Sequence, residues 1–443
     1  MKAREIALRV LLDVNQKEAY ANIALARELG HHAVTEQDRR FLTELVYGVV
    51  KTAPTLDWMI KKYVTRAKKS IAPAIWTILQ LGFYQLHFMD KVPPSAACNE
   101  SVNLAKKYGH QGTVKFVNAV LRSSLRAPEK VVWPDPKKNR AAWMALTYFH
   151  PEWLVKRWIK RYGAEGAEAL CKMNNEPPAL SLRTNTLKTT REELCTYLTK
   201  AGIEHTISEW TEEGILCTGH PALASFLPLQ EGKCQVQDES SMMVAHAVSP
   251  GAGDIVIDTC SAPGGKTTHM AELMKNTGKI MAFDIHGHKL PKIEENAARL
   301  GISIIETQEK DALTLPGEWK SKADCVLVDA PCSGLGVLRR KPDSRWRKSE
   351  ELLTELPKLQ LAILEHASEC VKDGGTLVYS TCTIEPEENQ MVVEAFLMKH
   401  TEFVLETIPC KKQSDTKWIQ FLPHIDHTDG FFLARMRKKT EAI

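Results

Sequence analysis

Two cysteines in this chain stand directly beyond short apolar runs. One lies in Val328-Asp329-Ala330-Pro331-Cys332-Ser333-Gly334-Leu335-Gly336, where an acid and a thiol follow four residues of Cys, Val and Leu. The other lies in Ser380-Thr381-Cys382-Thr383. A third stretch, Cys260-Ser261-Ala262-Pro263-Gly264-Gly265-Lys266, places paired glycines and a lysine after another apolar run. Asp284 comes 20 residues after Gly264, and Asp311 follows the next run. A thiolate is a nucleophile, and paired glycines let backbone approach a ligand closely. The spacings Gly-x4-Gly-Lys-Ser/Thr and Gly-x-Gly-x-x-Gly are absent, against a phosphate loop and a nicotinamide cofactor.

An acid about 20 residues after a glycine turn suits a pair of ribose hydroxyls. A carboxylate at Asp311 suits an adenine amine, so the three segments together read as a site for an adenosine-bearing ligand. Taken singly, each acid reads as a solvated loop residue. A lone free cysteine likewise reads as core, the reading given to Cys325 and Cys370. Cys332 and Cys382 differ because they lie past the strand ends. Carbon 5 of cytosine is a poor nucleophile, but a thiolate adding to carbon 6 turns the ring into an enamine that can take a methyl group from a sulfonium donor. A carboxyl group such as Asp329 beside the ring nitrogen and amine favours that adduct, and a second thiol can assist its breakdown. Spacing alone does not say which cysteine attacks.

The elements that must position these residues are strands alternating with helices. "DIVIDTC" (254–260), "KIMAFDI" (279–285), "SIIETQ" (303–308), "ADCVLVDAP" (323–331) and "GGTLVYSTC" (374–382) are short runs rich in Val and Ile. They predict a doubly wound parallel sheet, buried on both faces, with central order 3-2-1-4-5 and ligands at the carboxyl ends. Residues 165–235 read as a small α+β piece. The first 127 residues read as helices only, with Pro93-Pro94-Ser95 as a helix entry capped by serine. Three prolines between Ala127 and Lys138 mark a linker. The expected domains are 1–135, 136–236 and 237–443.

Charge is uneven. Residues 1–150 hold 23 Lys and Arg against 12 Asp and Glu, whereas 151–443 hold 35 against 42. The basic end suits a polyanion as readily as a solvated helical surface. No apolar run reaches spanning length, and the start carries Lys2, Arg4 and Glu5 with no secretory apolar core, so no membrane and a cytoplasmic location are expected. Eleven scattered cysteines without a Cys-x-x-Cys favour free thiols in a reducing compartment and disfavour a zinc ribbon.

The C-terminal half resembles the Sun/Fmu RNA cytosine-5 methyltransferases, a branch of the class I S-adenosylmethionine-dependent fold. The segments that carry this are "QDESS" (237–241), "DTCSAPGGKTTHMAE" (258–272), "FDIHGHKL" (283–290), "KDAL" (310–313), "VDAPCSGLG" (328–336), "YSTCTIEPEEN" (379–389) and "DGFFLARMRK" (429–438). "DRRFLTELVYGVV" (38–50), "VPPSAACNESVNLAKKYG" (92–109) and "KFVNAVLR" (115–122) resemble the NusB RNA-binding fold. The middle segment is similar to the family's small RNA-recognition-like subdomain.

The resemblance implies a multidomain protein: an all-α NusB-like domain, a small α+β subdomain and a C-terminal α/β methyltransferase domain. It implies S-adenosyl-L-methionine as cofactor, 16S ribosomal RNA as partner, no metal, and a monomer. It assigns Cys382 as the nucleophile, Cys332 as the thiol that helps release product, and Asp329 as the carboxyl facing the base. Cys260, Ser261, Ala262, Pro263, Gly264, Gly265, Lys266, Asp284, Asp311 and Asp329 carry over as the cofactor pocket, with Lys266 also reaching the base. Ser261 stands where many relatives have Ala. Three rivals are weighed. An amino-group methylase would end its fourth strand in Asn/Asp-Pro-Pro-aromatic and needs no thiol. A DNA methylase could attack with Cys332, but Cys382 and the NusB-like domain favour RNA. An idle RNA-binding factor has no chemical need for either thiol.

Overall fold

The computed structural model describes residues 2–17, 19–219, 223–410 and 417–440. They form two compact units: residues 1–175 with 341–347, and residues 176–340 with 348–443.

The first unit is helical. Ala3–Gln16, Glu36–Ile60 and Gln111–Arg126 bury one face each, Pro73–Phe88 is buried all round from Ile75 to Gln85, and Ile6, Leu8, Leu42, Leu45, Val46, Ile78, Phe83, Val117 and Leu121 meet in one core. The apolar spacing of 3.6 residues is what makes those faces. The helix Pro94–Tyr108 starts with Pro94 at its first position. Ser95 therefore falls inside the first turn rather than at the cap, and Pro93 holds the cap position without a side-chain bond. Residues Glu152–Met173 form two helical stretches that meet at Gly163, whose φ of 72° and ψ of 172° are not helical. Residues 341–347 pack into this unit: Arg345 is fully buried and donates to the carbonyls of Phe149 (2.8 Å) and Asn174 (3.1 Å), and Trp346 Nε1 donates to the carbonyl of Val50 (3.0 Å).

The second unit holds two sheets. The smaller is antiparallel, in order β2-β3-β1-β4, from β1 (Leu180–Thr184), β2 (His205–Ile207), β3 (Gly214–Cys217) and β4 (Cys234–Val236). The larger contains β5 (Ile255–Asp258), β6 (Lys279–Asp284), β7 (Ile305–Glu309), β8 (Ala323–Asp329), β9 (Val371–Thr381), β10 (Phe403–Glu406), β11 (Trp418–Phe421) and β12 (Phe431–Lys438). Its order is β10-β12-β9-β8-β5-β6-β7, with β11 on β12. The run β7-β6-β5-β8-β9 is parallel and has the expected 3-2-1-4-5 arrangement.

Two details differ from the sequence expectation. The segment "DGFFLARMRK" forms an antiparallel strand against β9, so the sheet is mixed. β7 is not buried on both faces: it lies at the sheet's end, and its Glu306, Gln308 and Glu309 are polar and largely solvent-facing. An edge strand has only one neighbour to bury it, so polar residues are tolerated there.

Candidate active site

β8 and β9 are parallel neighbours, with Asp329 in register with Ser380. Their carboxyl ends therefore leave the sheet together, and the loops that follow carry Cys332 and Cys382 to a sulfur–sulfur distance of 3.3 Å. The two backbones also join: Ala330 N–H donates to the carbonyl of Ser380 (2.9 Å), and Gly336 N–H to that of Cys382 (3.0 Å). Gly336 crosses Gly430 so closely that a β-carbon would stand 1.9 Å from the Gly430 oxygen, which is why this turn needs glycine.

Asp329 accepts from Ser380 Oγ (2.8 Å) and forms an ion pair with Lys266 Nζ. Lys266 also stands 5.1 Å from the Phe431 ring centroid. Burial pulls the ammonium down, but Asp329 and Cys382 outweigh it, and Lys266 is held above the ordinary lysine range. It is therefore a fixed cation beside the thiols. The Cys332 thiol is pushed well up, first by its contact with Cys382, then by burial and by the charges of Cys382, Glu388 and Asp329. Cys260 is pushed up to about 12 by burial and remains a thiol.

The loop after β5 is built for close approach. Gly264 adopts φ 94° before the helix Gly265–Leu273, with Ile293 Cα only 3.1 Å from where a β-carbon would lie. At Gly265 a β-carbon would meet nothing nearer than Gln237 Cδ at 4.0 Å, so open space lies over the helix start. Ser261 anchors the loop to β6 through Oγ to the carbonyl of Phe283 (2.8 Å). Asn296 Nδ2 donates to the carbonyl of Pro263 (3.1 Å). Asp284 accepts from Ala262 N–H (3.2 Å) and His286 N–H (2.9 Å). Asp311 caps a short turn through Leu313 N–H (3.0 Å).

Several site residues were not singled out from sequence. Asp258, fully buried at the end of β5, accepts from Thr267 Oγ1 (2.7 Å), and burial pushes it up to about 7. Arg183 on β1, also buried, pairs with Glu272 (2.8 Å) and donates to the carbonyl of Gly265 (2.7 Å), tying the small sheet to the glycine loop. Glu213 brings two imidazoles together, with Oε1 2.9 Å from both His246 Nε2 and His269 Nε2. Long-range pairs of this kind leave no local spacing to read.

Three family models match the chain: NusB over residues 1–126, the Methyltr_RsmF/B-like ferredoxin-like domain over 150–222, and 16S rRNA methyltransferase RsmB/F over 245–437. The probable ribosomal RNA small subunit methyltransferase B of Bacillus subtilis (strain 168) is 41% identical, covering 98% of both chains. Its counterpart in Synechocystis sp. (strain ATCC 27184 / PCC 6803 / Kazusa) is 40% identical over 99% of this chain and 100% of the relative. The chain belongs to the RsmB/F family of 16S rRNA methyltransferases. Among solved structures, that of PH0851 matches with a TM-score of 0.83 at 30% identity, covering 98% of each chain. NSun6 from Pyrococcus horikoshii with SFG matches at 0.60 and 27% identity, over 66% of this chain and 99% of that one.

RsmB/F enzymes take their methyl group from S-adenosylmethionine. The glycine loop fits such a cofactor, because Gly264 packs its backbone against Ile293 while the space beside Gly265 at the helix start stays clear for a ligand. Among the described residues, no helix is long and apolar enough to cross a membrane.

Proposed function

We propose that this RsmB/F-family enzyme methylates carbon 5 of a cytosine in 16S ribosomal RNA through a covalent adduct with Cys382. The observation that carries the reading is the pair of thiols 3.3 Å apart at the ends of adjacent strands, with Asp329 and Lys266 beside them. Base-amine methylation has no use for two juxtaposed thiols.

S-adenosylmethionine supplies an electrophilic methyl group. The residues proposed to hold it are Cys260 to Lys266, with Asp284 for the ribose and Asp311 for the adenine edge. Ile285, apolar and 55% exposed just beyond Asp284, offers an apolar surface for the ring. Lys266, kept charged, favours the thiolate of Cys382 by proximity. The Cys382 sulfur bonds to carbon 6 of the base, the carbon 5–carbon 6 double bond is lost, and its electron pair moves between carbons 4 and 5 to make an enamine, with negative charge passing to the ring nitrogen. Lys266 stabilises the negative charge that develops on the ring nitrogen, and Asp329 accepts from the exocyclic amine. After carbon 5 has taken the methyl group, its proton leaves to water. The bond from sulfur to carbon 6 then breaks with its electron pair returning to Cys382, aided by Cys332.

Labelled S-adenosylmethionine, 16S RNA fragments and the purified protein test this directly. Label should appear as 5-methylcytosine at one position. Label on an amino group or on another base would overturn the reading.

A further inference from the structure

Glu388 is a carboxylate with no exposed surface, and among the described residues it is held by hydrogen bonds rather than by an ion pair. Ser333 donates to it twice, through its N–H to Oε2 (2.8 Å) and through its hydroxyl to Oε1. Gln360 Nε2 donates to Glu388 Oε2 and to the carbonyl of Pro331, both at 3.0 Å. The residues on either side of Cys332 are thus tied to one carboxylate.

The same short segment also grips the flanks of Cys382. The Ser333 hydroxyl stands 2.9 Å from Thr383 Oγ1. Asn389 Nδ2 donates to the carbonyl of Thr383 (3.1 Å), and its Oδ1 accepts from Thr381 Oγ1. Tyr379 Oη on β9 donates to the main-chain carbonyl of Glu388 (2.6 Å). A buried carboxylate left unpaired is costly, so the loop that satisfies it is held in one place.

We infer that Glu388 is a positioning residue that holds Cys332 against Cys382 and makes the two thiols unequal. This rests on the cysteine reading proposed above. The charges of Cys382, Glu388 and Asp329 oppose a thiolate at Cys332, and Tyr379 interacts with it from β9. The cation of the site, Lys266, pairs with Asp329 and acts on Cys382. Charge around Cys332 thus opposes a thiolate there, whereas Lys266 favours one at Cys382.

The test uses full-length Glu388→Ala and Glu388→Gln proteins and needs no RNA for its main readouts. Diamide-driven coupling of Cys332 to Cys382, followed by peptide mass, reads their approach. It should slow by about tenfold in Glu388→Ala if positioning is lost. In a Cys382→Ala background, the pH midpoint of Cys332 alkylation by iodoacetamide should fall when Glu388→Gln removes the charge, a shift that a merely structural role would not produce. Unchanged coupling together with an unchanged midpoint would overturn the inference. If Glu388→Ala does not fold, the coupling rate and midpoint of the conservative Glu388→Gln protein decide alone. Failure of the cysteine reading shows up separately, as absence of any RNA adduct in a Cys332→Ala protein whose coupling partner and Glu388 are intact.

Discussion

Cys332 and Cys382 are the same functional group 3.3 Å apart, and their surroundings separate them. Replacing Cys382 by Ala should remove the nucleophile and lower turnover by about a thousandfold or more, ~4 kcal/mol of barrier. Cofactor binding, followed by calorimetry, should survive, because the glycine loop and Asp284 lie on other strands. Near-normal turnover would remove Cys382 from the mechanism. Replacing Cys332 by Ala should leave attack and methyl transfer intact but slow breakdown of the adduct. Protein and RNA should then run as one band on a denaturing gel, and the double variant should show none. A stable band from Cys382→Ala and none from Cys332→Ala would reverse the two roles.

The loop joining β8 to the residues beyond it depends on a backbone crossing. A methyl group at Gly336 would collide with the Gly430 oxygen, and both belong to the contact that holds Cys382. Gly336→Ala should therefore destabilise the protein by about 1–3 kcal/mol, read from denaturant unfolding, with a greater loss of activity. A second element-scale effect follows from the helix Gly265–Leu273, whose His269 is buried beside Glu213. Burial holds His269 down at about 4, against an ordinary 6.5. Between those values the unfolded chain takes up a proton that the folded chain does not. His269 thus contributes stability that is present above pH 6.5 and lost as the pH falls toward 4, on the order of 3 kcal/mol in all. His269→Gln should flatten the pH dependence of unfolding in that window; an unchanged slope would place the acid sensitivity elsewhere.

At the scale of the molecule, basic charge is concentrated in the helical unit. The stretch Lys61 to Ser70 holds Lys61, Lys62, Arg66, Lys68 and Lys69 with no acid among them, all five exposed. Phosphate contacts release counterions, and each one lost reduces the slope of log affinity against log salt by about 0.7–0.9. Changing Lys61, Lys62, Arg66 and Lys69 to Gln should weaken RNA binding and flatten that slope, while unfolding behaviour stays the same. An unchanged slope would mean that this surface does not meet the RNA.

The helical faces, the strand-helix alternation and the strand-end residues Asp329, Cys332, Cys382 and the Gly264-Gly265 turn were all legible in the chain. Each is a local property: an apolar period, a turn residue, or a polar group placed at a strand's last residue or up to three residues past it. The resemblance to known sequences added the division of labour between the thiols, which spacing left open. What the chain did not disclose is what lies far apart in it. Arg183 and Glu272 are 89 residues apart, Ser333 and Glu388 55 apart, and Gly336 and Gly430 meet through backbone alone. Residues 341–347 belong to the helical unit although they follow the thiol loop closely in the chain. The antiparallel β12 and the polar edge strand β7 likewise depend on which strand lies beside which. Pairings of this kind are chosen by the packing of whole elements, and a buried polar group acquires its partner only when the fold brings one within about 3 Å.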